Sequence, residues 1–122
     1  MLNLNYKKSL SLEIINFFNQ NEDILKEADK EADKFANLLV TNGLIPTLVY
    51  YNTKSRKDNK IKDFYEKIIK EFLINKLKLG NKDIFHFLLK EAKPSKLLTI
   101  TNLMLYFANY LKYYVKKLRI KN

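Results

Sequence analysis

Apolar side chains recur every three or four positions along nearly the whole chain, the spacing that places them on one face of a helix. In residues 1–20 the set is Leu2, Leu4, Tyr6, Leu10, Ile14, Phe17 and Phe18, although Leu10, Leu12 and Ile14 also alternate as a strand would. Asn21 suits the N-cap of a second helix, from Glu22 to about Thr41, whose stripe is Leu25, Ala28, Ala32, Phe35, Ala36 and Leu39. Its alanines are small enough for a neighbouring helix to come close. Asn42-Gly43 then supplies a helix stop, because glycine has no Cβ to clash at positive φ. Pro46 fits the first turn of a short helix reaching about Thr53, where its missing N–H would have had no partner.

The polar run Lys54-Ser55-Arg56-Lys57-Asp58-Asn59-Lys60 reads as an exposed loop. A fourth helix is expected over residues 61–79, with Phe64, Tyr65, Ile68, Phe72 and Leu73 inward and Gly80 ending it. Asn81 suits the cap of a fifth, residues 83–92, facing inward through Ile84, Phe85, Leu88 and Leu89. After the break at Pro94-Ser95, Leu97, Ile100, Met104, Phe107, Leu111, Tyr114 and Leu118 repeat in alternating steps of three and four. That seam predicts a long last helix, residues 96–120, running through the middle of a bundle.

Composition narrows the class. Two glycines and two prolines in 122 residues leave little turn material for hairpins, so the expectation is all-α: one domain, residues 1–122, a compact bundle of five to six helices. There is no cysteine, and hence no disulfide framework or thiolate chemistry. No stretch approaches the roughly 20 apolar residues of a membrane span, and the N-terminus lacks a signal-peptide pattern; a cytoplasmic protein with no membrane partner is expected.

Charge adds a direction. The formal net charge is +10, unevenly placed. Residues 22–34 hold six acids and three lysines, whereas residues 35–122 hold 18 basic side chains and six acids. A basic body with one acidic patch points to a polyanion partner and to a protein contact of opposite sign.

Catalytic material is scarce. His86 is the only histidine, set between Phe85 and Phe87 as a core-edge or surface imidazole. One histidine and no cysteine cannot make a usual zinc shell, so neither metal nor cofactor is expected. The pairs Glu27/Glu31 and Asp29/Asp33 lie beside Lys26, Lys30 and Lys34 as a solvated helix face, with Asp29 and Asp33 the candidates for a protein interface. There is no glycine-rich phosphate loop, no Ser/His/Asp set, and no arginine placed before His86 as in small helical ribonucleases. No enzyme activity is expected.

Binding is better supplied. Lys54, Arg56, Lys57, Lys60 and Lys62 concentrate cations in and beside the polar run, and Lys112, Lys116, Lys117, Arg119 and Lys121 do so near the C-terminus. The second group would also complement a helix dipole. Such faces hold phosphates without reading bases, so Lys54, Arg56, Lys57, Lys60, Lys112, Lys116, Lys117 and Arg119 are the nucleic-acid candidates. Tyr50, Tyr51, Tyr106, Tyr110 and Tyr113 are stacking surfaces if they face outward. Two other readings stay open: a helix-turn-helix DNA-binding protein turning at Asn42-Gly43, and a helical protein-interaction module.

Two blocks also carry a resemblance. Asn42-Gly43-Leu44 followed by Thr47-Leu48-Val49-Tyr50, after the apolar Ala36, Leu38, Leu39 and Val40, is similar to a pattern of the small helical subunit of type III-B CRISPR (Cmr) effector complexes. Thr101, Tyr106, Phe107, Tyr110-Leu111-Lys112 and Tyr114 resemble a second block, with Tyr110 where the family usually has tryptophan. The resemblance spans about residues 28–118. It implies a non-catalytic subunit that stacks with further copies of itself into a minor filament. It implies neighbours in the backbone subunit and the large subunit, and a channel in which guide RNA pairs with target RNA.

Overall fold

The computed structural model describes residues 4–121, and side chains from 5 to 120; Leu2, the side chain of Leu4 and the cation of Lys121 lie outside the described part. Among the described residues all regular structure is helical. The helices are α1 (Leu4–Asn19), α2 (Glu22–Leu25), α3 (Asp29–Asn42), α4 (Leu44–Ser55), α5 (residues 59–77), α6 (residues 84–91) and α7 (Pro94–Lys121). The all-α bundle read from the sequence is the fold.

The central helix is α7. Ile100, Met104, Phe107, Leu111 and Leu118 of its expected seam are buried, while Leu97 and Tyr114 sit half-buried at the edges. Leu103, Ala108 and Val115 widen the stripe, so that α7 serves α1 on one side and α3 on the other. Against it α1 buries Leu10, Ile14 and Phe18 at four-residue intervals, which removes the strand alternative. Phe107 is the aromatic hub, stacked on Phe72 of α5 at 4.3 Å between ring centres and meeting Phe18 edge-on at 5.2 Å. Truncating such a residue to alanine costs about 3–5 kcal/mol in a packed core.

Several boundaries differ from those expected. The helix starting at Glu22 breaks over residues 26–28, where Glu27 N–H and Ala28 N–H donate to carbonyls three residues back, at Ile24 and Leu25. A new helix then starts at Asp29, and Asp29 and Glu31 fall in its first turn, next to the positive end of its dipole. Asn21 stands at the N-cap of α2, its carbonyl accepting from the Ile24 and Leu25 N–H groups, but its side chain does not cap the helix. Its side-chain N–H donates to the Phe17 carbonyl at 2.8 Å, closing the end of α1 instead. At the next corner Gly43 takes φ +85° with an extended ψ, ending α3 and starting α4; its N–H donates to the Leu39 carbonyl. Pro46 lies in the first turn of α4, as its missing N–H predicts.

The expected loop over 54–60 shrinks to three residues. The α4 helix continues to a buried Ser55, and Asp58 caps α5 by accepting from the N–H groups of Lys60 and Ile61. Within α5, α-helical Asn59–Asp63 and Glu71–Leu77 flank a wider-wound π-helical stretch, Phe64–Lys70. The inward pairs Phe64/Tyr65, Ile68/Ile69 and Phe72/Leu73 repeat every four residues, which overruns a 3.6-residue period. Slower winding takes that drift back and keeps all three pairs on the core.

Lys78, not Gly80, ends α5 in the left-handed conformation (φ 55°, ψ 44°), and Asp83, not Asn81, caps α6. The second half of α6, Phe87–Glu91, is also wide-wound; Ile84 and Leu88 are buried and Leu89 is exposed.

Candidate nucleic-acid interface

The basic candidates fall at the ends of two helices. Lys54 lies in the last turn of α4, Arg56 and Lys57 in the short turn after it, and Lys60 in α5 just beyond its Asp58 cap; all four are exposed. Lys116, Lys117 and Arg119 are exposed on the last turns of α7, and Lys112 is half-buried one turn earlier. Lys112 reaches a shallow groove between α3 and α7, lined also by Asn37, Val40, Asn102 and Asn109.

Antiparallel packing of α3 and α7 brings the two groups toward one end of the molecule. Arg119 donates to the Asp29 carboxylate at 2.5 Å, joining the end of α7 to the start of α3. Lys60 lines a hollow with Glu27, Asp29, Lys30, Glu31 and Asp58. Asp29, one of the two expected interface acids, is therefore engaged inside the molecule, whereas Asp33 makes no ion pair among the described residues. Arg119 and Lys60 face carboxylates; Lys54, Arg56, Lys57, Lys112, Lys116 and Lys117 do not pair with any described carboxylate within 4.0 Å. Arg119 is 65 % exposed, so its pair contributes at most about 1 kcal/mol; it sets the geometry of the two helix ends more than their stability.

The tyrosines separate by role. Tyr51 is fully buried, and its hydroxyl donates to the Glu31 carbonyl at 3.3 Å; burial, with Glu31 nearby, pushes its ionisation far up. Tyr106 and Tyr110 are spent on packing, because both hydroxyls meet Ser11 Oγ, at 2.7 and 2.8 Å. Ser11 in turn donates to the Lys7 carbonyl at 2.8 Å, leaving its lone pairs for the two phenols. Tyr114 donates to Asn19 at 2.7 Å. Only Tyr113, 64 % exposed under the Lys116 ammonium at 6.0 Å, and the half-buried Tyr50 remain of the five candidate stacking surfaces.

Tyr50 carries what the sequence reading missed. Lys34 Nζ lies 4.9 Å and Lys54 Nζ 5.9 Å from its ring centre. Hydrogen bonding to Tyr50, with Glu31 further off, holds the Lys34 ammonium above the usual lysine range. The Tyr50–Lys54 step is an i,i+4 pair visible in the sequence; Lys34 arrives from α3 across the Gly43 corner, and no local signal announces it. His86 is exposed, and among the described residues no three His, Cys, Asp or Glu side chains come together as a metal site. No helix among them is long and apolar enough to cross a membrane.

Fold and surface together define an all-α, strongly basic bundle whose free cations crowd two helix ends. The family described as CRISPR-associated protein (Cas_Cmr5) matches residues 8–118, and the chain belongs to it: the small-subunit family of type III-B Cmr complexes. The match takes in α1 from residue 8 onward, which the sequence resemblance had left out. Comparison with curated proteins and with solved structures returned no match.

Proposed function

We propose that this chain, acting as one domain over its 122 residues, is a non-catalytic subunit that supports target RNA paired with guide RNA in a cytoplasmic type III-B effector complex. Copies of it stack into a minor filament beside the backbone and large subunits. Base pairing reads the sequence in such a complex, so the small subunit needs charge and shape rather than base-edge contacts. The single observation that carries the reading is the set of exposed, unpaired cations at the ends of α4 and α7 in a member of this family. A helix-turn-helix role fits less well. The helix after the Gly43 turn buries Leu44, Thr47, Leu48, Tyr51 and Ser55, and carries Lys54 as its one cation for a major groove.

Titration of the purified chain against single-stranded RNA and duplex DNA, at about 50 and 200 mM salt, tests this. Weak, sequence-independent RNA binding that falls steeply with salt is the expected result. Tight binding to one duplex sequence would establish the DNA-binding reading instead, and no binding to either would favour a pure protein-interaction module.

A further inference from the structure

Two lysines from different helices converge on one tyrosine outside the α3–α4 corner. Both ammoniums, of Lys34 from α3 and Lys54 from α4, lie within 6 Å of the Tyr50 ring centre. The ring is fixed from behind. It meets Tyr51 edge-on at 5.1 Å and 90°, and Tyr51 is itself fully buried and tied to the α3 backbone. Cation–π attraction holds each ammonium in place, although the two charges repel each other. Among the described residues neither lysine has a carboxylate within 4.0 Å, in contrast to Arg119 with Asp29. The geometry thus gathers two positive charges around a fixed post, with Glu31 acting on Lys34 only from beyond 4.0 Å, and leaves room for a closer counter-charge from outside.

The run of exposed cations continues from this point through Arg56 and Lys57, which suits an anion that repeats along a strand more than a single carboxylate. We propose that Lys34, Tyr50 and Lys54 form a clamp for one backbone phosphate of single-stranded RNA, with Tyr50 as the post that holds both ammoniums toward it. The clamp rests on the RNA-supporting reading above and assigns it a specific contact. Lysine donors reach the phosphate oxygens, and the exposed part of the Tyr50 ring is available to the neighbouring sugar or base.

The test is fluorescence anisotropy of a labelled oligouridylate with the full chain, across a salt series. Losing one phosphate contact lowers the slope of log affinity against log salt by about 0.7 for a single strand, and K34A/K54A is expected to do so. Y50L keeps both charges but frees them; it is expected to weaken binding several-fold with the slope nearly unchanged. K90A, on α6 and outside the basic candidates, is the control for general loss of charge and is expected to leave the slope unchanged. All three substitutions in the two charge variants fall on exposed lysines, so thermal melts should stay at the wild-type temperature. Wild-type RNA binding with an unaltered slope in K34A/K54A would overturn the clamp and leave the RNA-supporting role standing. No RNA binding by the wild type would overturn both. Displacement of RNA by polyglutamate as readily as by unlabelled RNA would overturn the assignment to a phosphodiester.

Discussion

Tyr65 is 1 % exposed, yet its hydroxyl has no hydrogen-bond partner among the described residues. Burial first, then the nearby Glu66 and Asp83, pushes its ionisation up to about 12. The folded pKa lies above that of an exposed tyrosine, so the stability linked to it is complete below about pH 10 and drains away as pH rises toward 12. At about 1.4 kcal/mol per pH unit the loss reaches roughly 3 kcal/mol. The Y65F variant removes both the unpaired hydroxyl and the ionisation. Urea unfolding at pH 7 should find it about 1 kcal/mol more stable than wild type, and a series up to pH 11.5 should find a shallower decline. Lower stability at pH 7 would mean that the hydroxyl is satisfied.

Lys78 and Gly43 make the converse pair. A lysine at φ 55° is strained where glycine is not, so K78G should gain about 0.5–1 kcal/mol after allowing for the more flexible unfolded chain. G43A should lose about 1–3 kcal/mol from backbone strain alone, because an added Cβ at Gly43 meets no atom within 4 Å. The urea midpoints of the two variants should move in opposite directions; a shift to the same side would refute the backbone account.

At the scale of elements, long periodic runs were legible and interruptions were not. The seam from Ile100 to Leu118 and the stripe Leu10/Ile14/Phe18 could be read because bulky residues at helical spacing have one low-energy way to be buried together. The Gly43 corner was legible because glycine is nearly alone in tolerating that φ. The break at residues 26–28 contains neither glycine nor proline, and its only signal is the acidic pair Asp29 and Glu31, which a single longer helix accommodates as well. The wide-wound stretches of α5 and α6 reflect which residues the rest of the bundle must bury. Leu89 is apolar by type but exposed, since α6 has only Ile84 and Leu88 fully buried in the bundle.

Across the whole molecule, the placement of charge was legible in part. The sequence located the cations at two segments, and both segments are exposed helix ends. It could not reveal that Arg119 is already matched to Asp29, or that Lys34 belongs with Lys54, since both pairings depend on where α3 lies against its neighbours. That changes how a protein interface on the acidic patch is best tested. D29K breaks an internal pair as well as any external one, whereas D33K alters a carboxylate without an ion pair among the described residues. Weaker co-purification of D33K with the other complex subunits, at unchanged melting temperature, is the expected outcome. Wild-type recovery would move the interface off this face.

The helix against which α1 and α3 pack follows both of them in the chain. Phe107 completes a cluster whose other rings, Phe17, Phe18 and Phe72, leave the ribosome much earlier, and the Ser11 hydroxyl waits for partners 95 and 99 positions further on. At about 5–20 residues per second, the nascent chain spends several seconds with those aromatic faces uncovered. Folding that depends on such distant contacts cannot finish before α7 has left the ribosome. Until α7 emerges, the unfinished chain carries an apolar surface with no helix to cover it.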